Sequence, residues 1–307
     1  MSIGKYICVV GGANIDITAC PMENPLPHDS TPGKVTWGLG GVGRNISENL
    51  TALNQGVEFI TVFGTDYYSQ KIKKDCNDKN IKLNYNSDVI TGDTPTYVCL
   101  NDKFGEMLYA VSDMSIYDNI TPEFLRERID IINNSKACVF DTNIPEESIK
   151  YLTNNCCVPL FAETVSTNKA KKLKRHLGKI YAIKPNLLEA EVLSGIKIKD
   201  RKTLDSAAAV LLSGGLKSIF ISLGKDGTYY ANEQESGIVP CFKIPVINTT
   251  GAGDSFMAGL IFSFIKNGAN IKMMALHGTA AAALTVSSKF SVSENMSCQN
   301  IENILSL

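Results

Sequence analysis

The segment NTTGAGDSF, residues 248–256, decides the fold and the chemistry that we expect for this chain. Two glycines, Gly251 and Gly253, come just before a single carboxylate, Asp254, and an apolar helical pattern follows at once. The first turn of a helix has unpaired N–H groups and the positive end of the helix dipole, so it can bind an anion. Glycine lets the backbone approach a phosphate closely. The segment therefore predicts a phosphate-binding turn at a helix that starts near residue 252, where Asp254 can accept a proton from an attacking hydroxyl.

The composition is that of a globular protein without a polyanionic partner. A chain of 307 residues, 44% of them hydrophobic, can bury the core of one large α/β domain. The formal net charge of −1 gives no reason to expect nucleic acid or an acidic membrane as a partner. No apolar run approaches the roughly 18 residues of a membrane span. The nine cysteines form no C-x-x-C pair and no export signal is recognisable, so we expect a reducing, cytoplasmic location.

Short apolar runs alternate with helical patterns along most of the chain. This alternation predicts an α/β domain over residues 1–307, in which a mostly parallel sheet is covered by helices on both faces. The predicted strands are 6–10, 59–63, 137–140, 158–162, 180–183 and 218–222, and the predicted helices are 45–53, 66–80, 121–133, 146–154, 187–194 and 203–212.

Two regions do not fit that alternation. Residues 18–37 are rich in Pro and Gly and read as irregular structure or edge strands. The β-prone runs Thr96–Asn101 and 107–112 are separated by five residues, 102–106, that include Gly105, which predicts a hairpin. We assign segments 17–37 and 92–114 to a small β lid that could cover the site.

The second glycine cluster, GLGGVGRN at residues 38–45, formally matches the G-x-G-x-x-G pattern of dinucleotide-binding sites. That reading requires a strand just before the glycines and an acid about 20 residues further on, at the end of the next strand. Residues 32–33, Pro-Gly, argue against the strand, and Glu58 would begin its strand instead of ending it. The alternative reading is a loop whose glycines let the backbone approach a small hydroxylated ligand, which Asn45 would hold at a helix start.

Together, the two glycine clusters resemble the two signatures of the ribokinase-like (PfkB) family of sugar and nucleoside kinases. GGVGRN at 40–45 is similar to the first signature, and TTGAGDSF at 249–256 to the second. Residues 186–189 match the family's N-x-x-E motif, and residues 222–227 match its nucleotide-contacting turn. The resemblance covers nearly the whole chain and implies a three-layer α/β/α fold with a small β-sheet lid.

The resemblance also implies catalytic and nucleotide-binding residues. Asp254 would be the base for a substrate 5′-hydroxyl, and Asn186 and Glu189 would order Mg²⁺ through its waters. The N–H groups that would form the anion hole belong to Gly251, Ala252 and Gly253. The residues implied to contact ATP are Asn186, Ser222, Gly224, Gly227 and Thr250.

The sequence segments around the motifs are most similar to one nucleoside-kinase branch of the family. Examples are GANID at 12–16 and AIKPNLLEAEVLSGI at 182–196. The implied ribose contacts are Asn14, Asp16, Gly41, Asn45 and Asn143, and the candidates for the base end of the nucleoside are Ser30, Thr96 and Lys169. Plainer alternatives stay open. Asp16 could cap a turn, and Thr96 could be an ordinary hairpin residue. Asn186 and Glu189 could cap a helix and do nothing more, and Asp254 could be a mere N-cap. Lys169 could be solvent-exposed like the rest of the basic stretch 169–179.

Two residues depart from the family pattern. Asn248 stands where relatives activated by K⁺ often have Asp, which leaves K⁺ dependence open. Glu163 stands where Asp is expected, and we assign it no role. The overall prediction is an ATP- and Mg²⁺-dependent kinase of a nucleoside or a sugar, with a homodimer formed through the edges of the lid. The rivals are a kinase of another substrate, such as ribose or fructose, a non-catalytic nucleotide-binding regulator, and a dehydrogenase.

Overall fold

The computed structural model describes residues 4–307 and contains a large sheet, a four-stranded lid sheet and a short two-stranded sheet. The strands are β1 (Tyr6–Val10), β2 (Asn14–Pro21), β3 (Gly33–Gly40), β4 (Gly56–Ile60), β5 (Val62–Phe63), β6 (Ser87–Asp88), β7 (Thr96–Asn101), β8 (Met107–Asp113), β9 (Cys138–Asp141), β10 (Leu160–Glu163), β11 (Ala182–Ile183), β12 (Ser218–Ser222), β13 (Thr228–Asn232) and β14 (Ser236–Val239). The α-helices are α1 (Val42–Ala52), α2 (Tyr67–Asp78), α3 (Pro122–Arg126), α4 (Ile129–Asn133), α5 (Glu146–Asn155), α6 (Thr167–Ala170), α7 (Leu187–Ser194), α8 (Arg201–Ser213), α9 (Ala252–Asn267), α10 (Ile271–Val286) and α11 (Cys298–Leu305).

The large sheet has the strand order β14-β13-β12-β11-β10-β9-β1-β4, and the six strands from β12 to β4 are parallel. The chain runs from β1 outward to β4 and later continues from β9 in the opposite direction. The order therefore reverses between β1 and β9, and ligands bind at such a point in open α/β sheets. The predicted parallel sheet is confirmed. The antiparallel edge strands β13 and β14 were not predicted.

Helices pack on both faces of this sheet, which explains why most positions of its central strands are apolar. In β9, Cys138 and Phe140 belong to the core that α5, α7 and α8 cover, and Val139 belongs to the core under α1, α9 and α10. Alternate residues of a strand point to opposite faces, so a strand buried on both sides needs an apolar residue at every position. This arrangement gives the predicted three layers.

The lid sheet has the order β3-β2-β7-β8. The predicted hairpin is confirmed, since β7 and β8 pair antiparallel across residues 102–106. The prediction of irregular structure or edge strands in 18–37 is confirmed: β3 lies at the edge of the lid sheet, and residues 22–32 form an irregular connection. β2 and β3 pair in a regular antiparallel ladder from Asn14–Gly40 to Pro21–Gly33. Pro21 is the last residue of β2, and the other prolines of this region lie in the connecting loop, where a missing N–H group is tolerated.

One smaller difference concerns a helix. The predicted helix 121–133 is two short helices, α3 and α4, and the break falls at Arg128, whose guanidinium donates to the carbonyl oxygens of Tyr85 and Phe124. Within residues 4–307, none of the helices is both long enough and apolar enough to cross a bilayer.

Candidate active site

The glycine-rich turn at the start of α9 is shaped by the chain that crosses it. The helix begins at Ala252, as predicted, and Gly251 before it has φ 80°. A Cβ atom built on Gly251 would lie 1.9 Å from the carbonyl oxygen of Ser291. Only glycine satisfies both the left-handed backbone and this close approach. The N–H groups of the first helical turn are thereby held at a fixed place.

Asp254 lies in the first turn of α9 and is buried, with 9% of its surface exposed. Its Oδ2 atom accepts a hydrogen bond of 2.9 Å from Nδ2 of Asn45, which belongs to the other glycine cluster. The turn has no side-chain cap, since Gly251 is the N-cap residue. The reading of Asp254 as a mere N-cap is therefore wrong, and the structure brings the two sequence motifs together at this carboxylate.

Burial raises the pKa of Asp254 from its ordinary value of 3.8 to about 7. The hydrogen bond from Asn45 and the charge of Lys184 oppose this rise, and the charges of Asp141 and Asp16 add to it. A general base works best when its pKa lies near the working pH, because it is then both ionised and strongly basic. The environment of Asp254 meets that condition.

A buried ion pair flanks the same turn. Lys184 follows β11, and its Nζ atom lies 3.4 Å from Oε1 of Glu163 at the end of β10. A Cβ atom on Gly253 would lie 3.0 Å from this Nζ atom, so the ammonium group stands beside the turn. Burial raises the pKa of Glu163 to about 8, and the Lys184 charge opposes that rise. Glu163 had no predicted role, and the distance between Glu163 and Lys184 along the sequence does not predict that they are in contact.

Asn14 and Asp16 lie at the start of β2, facing the end of β3. Nδ2 of Asn14 donates to Oδ1 of Asp16 over 2.6 Å, and Asp16 stands inside the strand instead of capping a turn. A Cβ atom on Gly40 would lie 2.2 Å from Asp16 Oδ2, and one on Gly41, which has φ 101°, would lie 2.5 Å from Cα of Ala13. The second glycine cluster thus lets the chain cross its own backbone at this point.

Asn143 and Lys169 meet at the carboxyl end of β9. Nζ of Lys169 donates to Oδ1 of Asn143, and the N–H group of Asn143 donates to Oδ1 of Asp141 over 2.9 Å. The other oxygen of Asp141 accepts from the N–H group of Gly12 over 2.8 Å, so this buried carboxylate joins the loops after β1 and β9. Asp141 was missed from sequence because it simply ends an apolar run.

The reading of stretch 169–179 as a solvated helix face is wrong for two of its lysines. Lys169 contacts Asn143, and Nζ of Lys172 donates to the carbonyl oxygens of Thr142 and Ile144 over 3.0 and 2.8 Å. Burial lowers the pKa of both ammonium groups. Two lysines of this stretch are therefore drawn into the edge of the site.

The other two base-end candidates lie in the lid. Thr96 pairs with Ile15 at the start of β7, one strand away from Asp16, and its hydroxyl donates to the carbonyl oxygen of Thr94. Ser30 is exposed in the loop between β2 and β3. Within residues 4–307 no hydrogen bond joins Ser30 to another candidate.

Four of the implied nucleotide contacts lie at or after the ends of β11 and β12, and the fifth, Thr250, lies just before α9. Asn186 pairs with Ser222, whose N–H group donates to the carbonyl oxygen of Pro185 over 3.0 Å. Gly224 and Gly227 shape the next turn with φ 62° and 99°. Thr250 is exposed, and its N–H group donates to Oδ1 of Asn248.

Asn186 and Glu189 form a complete capping box on α7. Asn186 Oδ1 accepts from the N–H group of Glu189, and Glu189 Oε2 accepts from the N–H group of Asn186 and from the hydroxyl of Thr164. The capping role that sequence analysis held as the plainer alternative is thus observed. Both bonds to Glu189 are accepted by one oxygen, which leaves Oε1 as the acceptor for other donors.

The dinucleotide reading of residues 38–45 fails at its acidic residue. A strand does precede the glycines, contrary to our expectation, but β3 belongs to the lid sheet. Glu58 lies in the middle of β4, and its two oxygens accept from the N–H group and from Nδ2 of Asn84 over 2.8 and 2.9 Å. This carboxylate is already engaged and does not stand at a strand end, where a ribose would bind.

Comparison with known proteins identifies the class of protein that this fold and site define. The sequence profile of the pfkB family carbohydrate kinases matches residues 4–296, so this chain belongs to that family. Its members are phosphotransferases that act on the hydroxyls of sugars or nucleosides. The ribokinase-like fold and the family resemblance read from sequence are therefore confirmed.

Three known proteins show how similar this chain is to others with the same fold. Pseudouridine kinase of Escherichia coli (strain K12) is 35% identical over 96% of this chain and 98% of its own length. Ribokinase of Staphylococcus aureus (strain COL) is 29% identical over 80% of this chain and 81% of its own. The structure of Arabidopsis thaliana ribokinase complexed with ribose and ATP is 20% identical, has a TM-score of 0.87 and covers 99% of both chains.

Substituting Ala at Gly251 tests the geometry of the turn, and Gly105 provides a matched control. Both glycines have positive φ, but a Cβ atom on Gly105 meets nothing within 4 Å. Gly105→Ala should lower the free energy of unfolding by about 1–2 kcal/mol through backbone strain alone. Gly251→Ala should cost about 1–3 kcal/mol more, because the Ser291 carbonyl must move. Denaturant unfolding of both variants measures this, and equal losses would contradict the crossing described here.

The raised pKa of Asp254 predicts a pH-dependent stability. An acid whose pKa is higher in the folded chain binds more protons when folded, so its contribution to stability falls between about pH 4 and pH 7. Asp254→Asn removes this loss and should raise the free energy of unfolding by about 2–4 kcal/mol at pH 8, and by little at pH 4. Unfolding curves at both pH values test it. A difference that does not change with pH would show that the carboxyl titrates normally.

Proposed function

We propose that this protein transfers the terminal phosphoryl group of ATP to the 5′-hydroxyl of pseudouridine. The observation that carries the proposal is the buried Asp254 in the first turn of α9, held by Asn45 and flanked by the glycine turn. The choice of pseudouridine is supported by the relative of 35% identity and by the matching words around the motifs. The product is pseudouridine 5′-phosphate.

Asp254 and the start of α9 divide the chemistry between them. Asp254 accepts the proton of the 5′-hydroxyl while the 5′-oxygen of the nucleoside bonds to the terminal phosphorus of ATP. At the same time the bond between that phosphorus and the leaving ADP oxygen breaks. The N–H groups of Gly251, Ala252 and Gly253 stabilise the charge on the transferred phosphoryl oxygens, once Ala252 has exchanged its 3.3 Å bond to the carbonyl oxygen of Thr249 for the phosphate. Each such donor can lower a barrier by roughly 3–4 kcal/mol. The ammonium group of Lys184 beside Gly253 adds a fixed positive charge.

Asn186 and Glu189 fit a Mg²⁺ ion that keeps its waters. They offer the oxygen donors that this ion prefers, and Glu189 Oε1 is not used by the capping box. When bound, Mg²⁺ supplies charge neutralisation on the phosphates of ATP. The capping box holds the Glu189 carboxylate in one orientation, which is the part that this chain contributes.

The ribose is held, in this proposal, by Asn45, which contacts Asp254, and by polar residues of β2 and of the loop after β9. Asn14, Asp16, Asn45 and Asn143 offer paired amides and a carboxylate that suits a vicinal diol, and Gly41 lets the chain pass close by. The base end is assigned to Lys169, Thr96 and Ser30. The lid closes over the nucleoside and excludes water, which limits hydrolysis of ATP.

The proposed partners are therefore ATP and one small nucleoside or sugar, and the proposed location is the cytoplasm. All nine cysteines are free thiols, which suits a reducing compartment. A purely regulatory nucleotide-binding protein is a weaker alternative, because binding alone does not require a buried carboxylate with the pKa of a base.

A substrate panel tests the proposed function. In an ADP-release assay with Mg²⁺-ATP, pseudouridine should give the highest kcat/KM among pseudouridine, uridine, adenosine, ribose and fructose. Asp254→Asn should lower kcat by at least about 100-fold and leave ATP binding unchanged by calorimetry. A higher kcat/KM for ribose or adenosine would refute the substrate, and full turnover in Asp254→Asn would refute the mechanism.

The same assay with and without K⁺ addresses the cation. Nδ2 of Asn248 donates to the carbonyl oxygen of Lys289 over 3.2 Å. Oδ1 of the same amide accepts from the N–H group of Thr250 over 3.0 Å. Because both ends of this uncharged amide are engaged and it stands in place of an anionic ligand, we propose that turnover does not depend on K⁺. A large activation by K⁺ would contradict this.

We further propose that two copies of the chain associate through their lids. Every residue of the edge strand β8 is exposed. The apolar side chains exposed on the lid include Val35, Trp37, Met107, Tyr109 and Val111. An unpaired edge and a cluster of exposed apolar side chains favour pairing with a second sheet.

Light scattering after gel filtration tests the association. The unmodified chain should be a dimer at micromolar concentration, and Val111→Glu should make it a monomer by placing a charge in the interface. Val210→Glu on α8 is the matched control and should remain dimeric, since Val210 is also exposed, at 44% against 69% for Val111. A monomeric unmodified chain, or a dimer unaffected by Val111→Glu, would refute the lid interface.

A further inference from the structure

Arg44 stands directly before Asn45 in the first glycine signature, and the function proposed above gives it no role. It is buried, with 3% of its surface exposed. Its Nη1 atom donates to Oδ1 of Asn45 over 3.0 Å. Nδ2 of the same Asn45 donates to Oδ2 of Asp254 over 2.9 Å. The guanidinium and the candidate base are thus connected through one side-chain amide.

The direction of that amide matters for Asp254. A side-chain amide has an acceptor end and a donor end, and rotation by half a turn exchanges them. With its N–H end toward Asp254, Asn45 stabilises the ionised carboxylate. With its oxygen toward Asp254, it would repel that charge and favour the protonated acid. A guanidinium has donors and no acceptor, so Arg44 can only hold the oxygen end of Asn45.

Arg44 is itself fixed on its other side. Its Nη2 atom lies 2.6 Å from Oδ2 of Asp75 on α2 and 2.7 Å from Oε2 of Glu48 on α1. Lys79 closes the network by contacting the same two carboxylates. A planar group held by two partly buried acids has little freedom to turn away, so its contact with Asn45 is preorganised.

We propose that Arg44 is a positioning residue for phosphoryl transfer, which fixes the amide of Asn45 so that its N–H end holds Asp254. The inference rests on the proposed function in naming Asp254 as the base. Arg44 touches neither Asp254 nor a reacting atom in this arrangement, and it acts through Asn45 alone.

Other charged groups also face the base and are unchanged when Arg44 is replaced. They are Lys184 after β11, Asp141 at the end of β9, Asp16 on β2 and Glu163 at the end of β10. The charge of Arg44 acts on Asp16 as well. A test must therefore separate an effect that passes through the Asn45 amide from an effect of the Arg44 charge.

A double-mutant cycle makes this separation. Arg44→Met should move the acid limb of the kcat/KM–pH profile upward by about one pH unit, because one hydrogen bond to the ionised base is lost. Asn45→Ala should cause a similar shift, and adding Arg44→Met to Asn45→Ala should cause no further shift. Asp75→Asn removes one of the two acids that hold Arg44 and leaves Glu48 in contact with Nη2, so it should leave the limb in place. Arg44→Lys should restore most of the wild-type position.

The proposal is overturned if Arg44→Met leaves the limb in place, if its shift adds to that of Asn45→Ala, or if Asp75→Asn shifts the limb as much as Arg44→Met. Additive shifts would mean that the charge acts directly. A shift with Asp75→Asn would mean that any disturbance of α1 has the same effect.

A second readout does not require turnover. The difference in unfolding free energy between each variant and its Asp254→Asn counterpart, followed from pH 4 to pH 9, reports the titration of Asp254 in the folded chain. Its midpoint should move upward in Arg44→Met as the acid limb does. If the chain turns over none of the panel substrates but this midpoint shifts, the proposed function fails and the positioning role stands. An unmoved midpoint refutes the positioning role whatever the activity.

Discussion

The site depends on one hydrogen bond, from Nδ2 of Asn45 to Oδ2 of Asp254, which joins residues 209 positions apart. It connects the start of α1 to the start of α9, and it therefore fixes the positions of the two glycine-rich turns relative to each other. The bond lies in a buried environment, where it opposes the rise in pKa that burial imposes on Asp254. Without that donor, the carboxyl would be held further toward its protonated form, which cannot act as a base.

The parallel sheet explains why polar residues from distant segments meet here. The order of the strands reverses between β1 and β9, and Asp141 bridges the two loops at this point by accepting from the N–H group of Gly12. Glu163, Lys184 and Ser222 lie at or just beyond the ends of the following strands. Burial at the carboxyl ends of these strands removes charged groups from bulk solvent, and it therefore raises the pKa values of Asp141 and Glu163.

Sequence was sufficient for the parts of this arrangement that are local. A glycine pair before a helix, a hairpin between β-prone runs and alternating apolar segments each follow from neighbouring residues, so the α9 turn, β7–β8 and the central sheet were predicted. Asn45 and Asp254 were also named as candidate site residues, because each stands in a glycine-rich motif at a helix start.

The remaining parts depend on contacts that spacing does not record. Asp141 ends an apolar strand, and Arg44 lies among glycines. Neither residue belongs to a sequence pattern that predicts its buried hydrogen bond, to Gly12 for Asp141 and to Asn45 for Arg44. The pairing of Glu163 with Lys184 arises because β10 and β11 are adjacent in the sheet, which is known only once the strand order is known. The edge strands β13 and β14 were missed because they depart from the strand–helix alternation.

The central claim is that the first turn of α9 and Asp254 act on the phosphate and on the acceptor hydroxyl at the same place. A crystal structure with pseudouridine and a non-hydrolysable ATP analogue tests it most directly. The account predicts the 5′-hydroxyl within about 2.6–3.2 Å of the Asp254 carboxylate, and the terminal phosphate facing the N–H groups of residues 251–253. A terminal phosphate bound away from this turn, or an acceptor hydroxyl held by another residue, would contradict it.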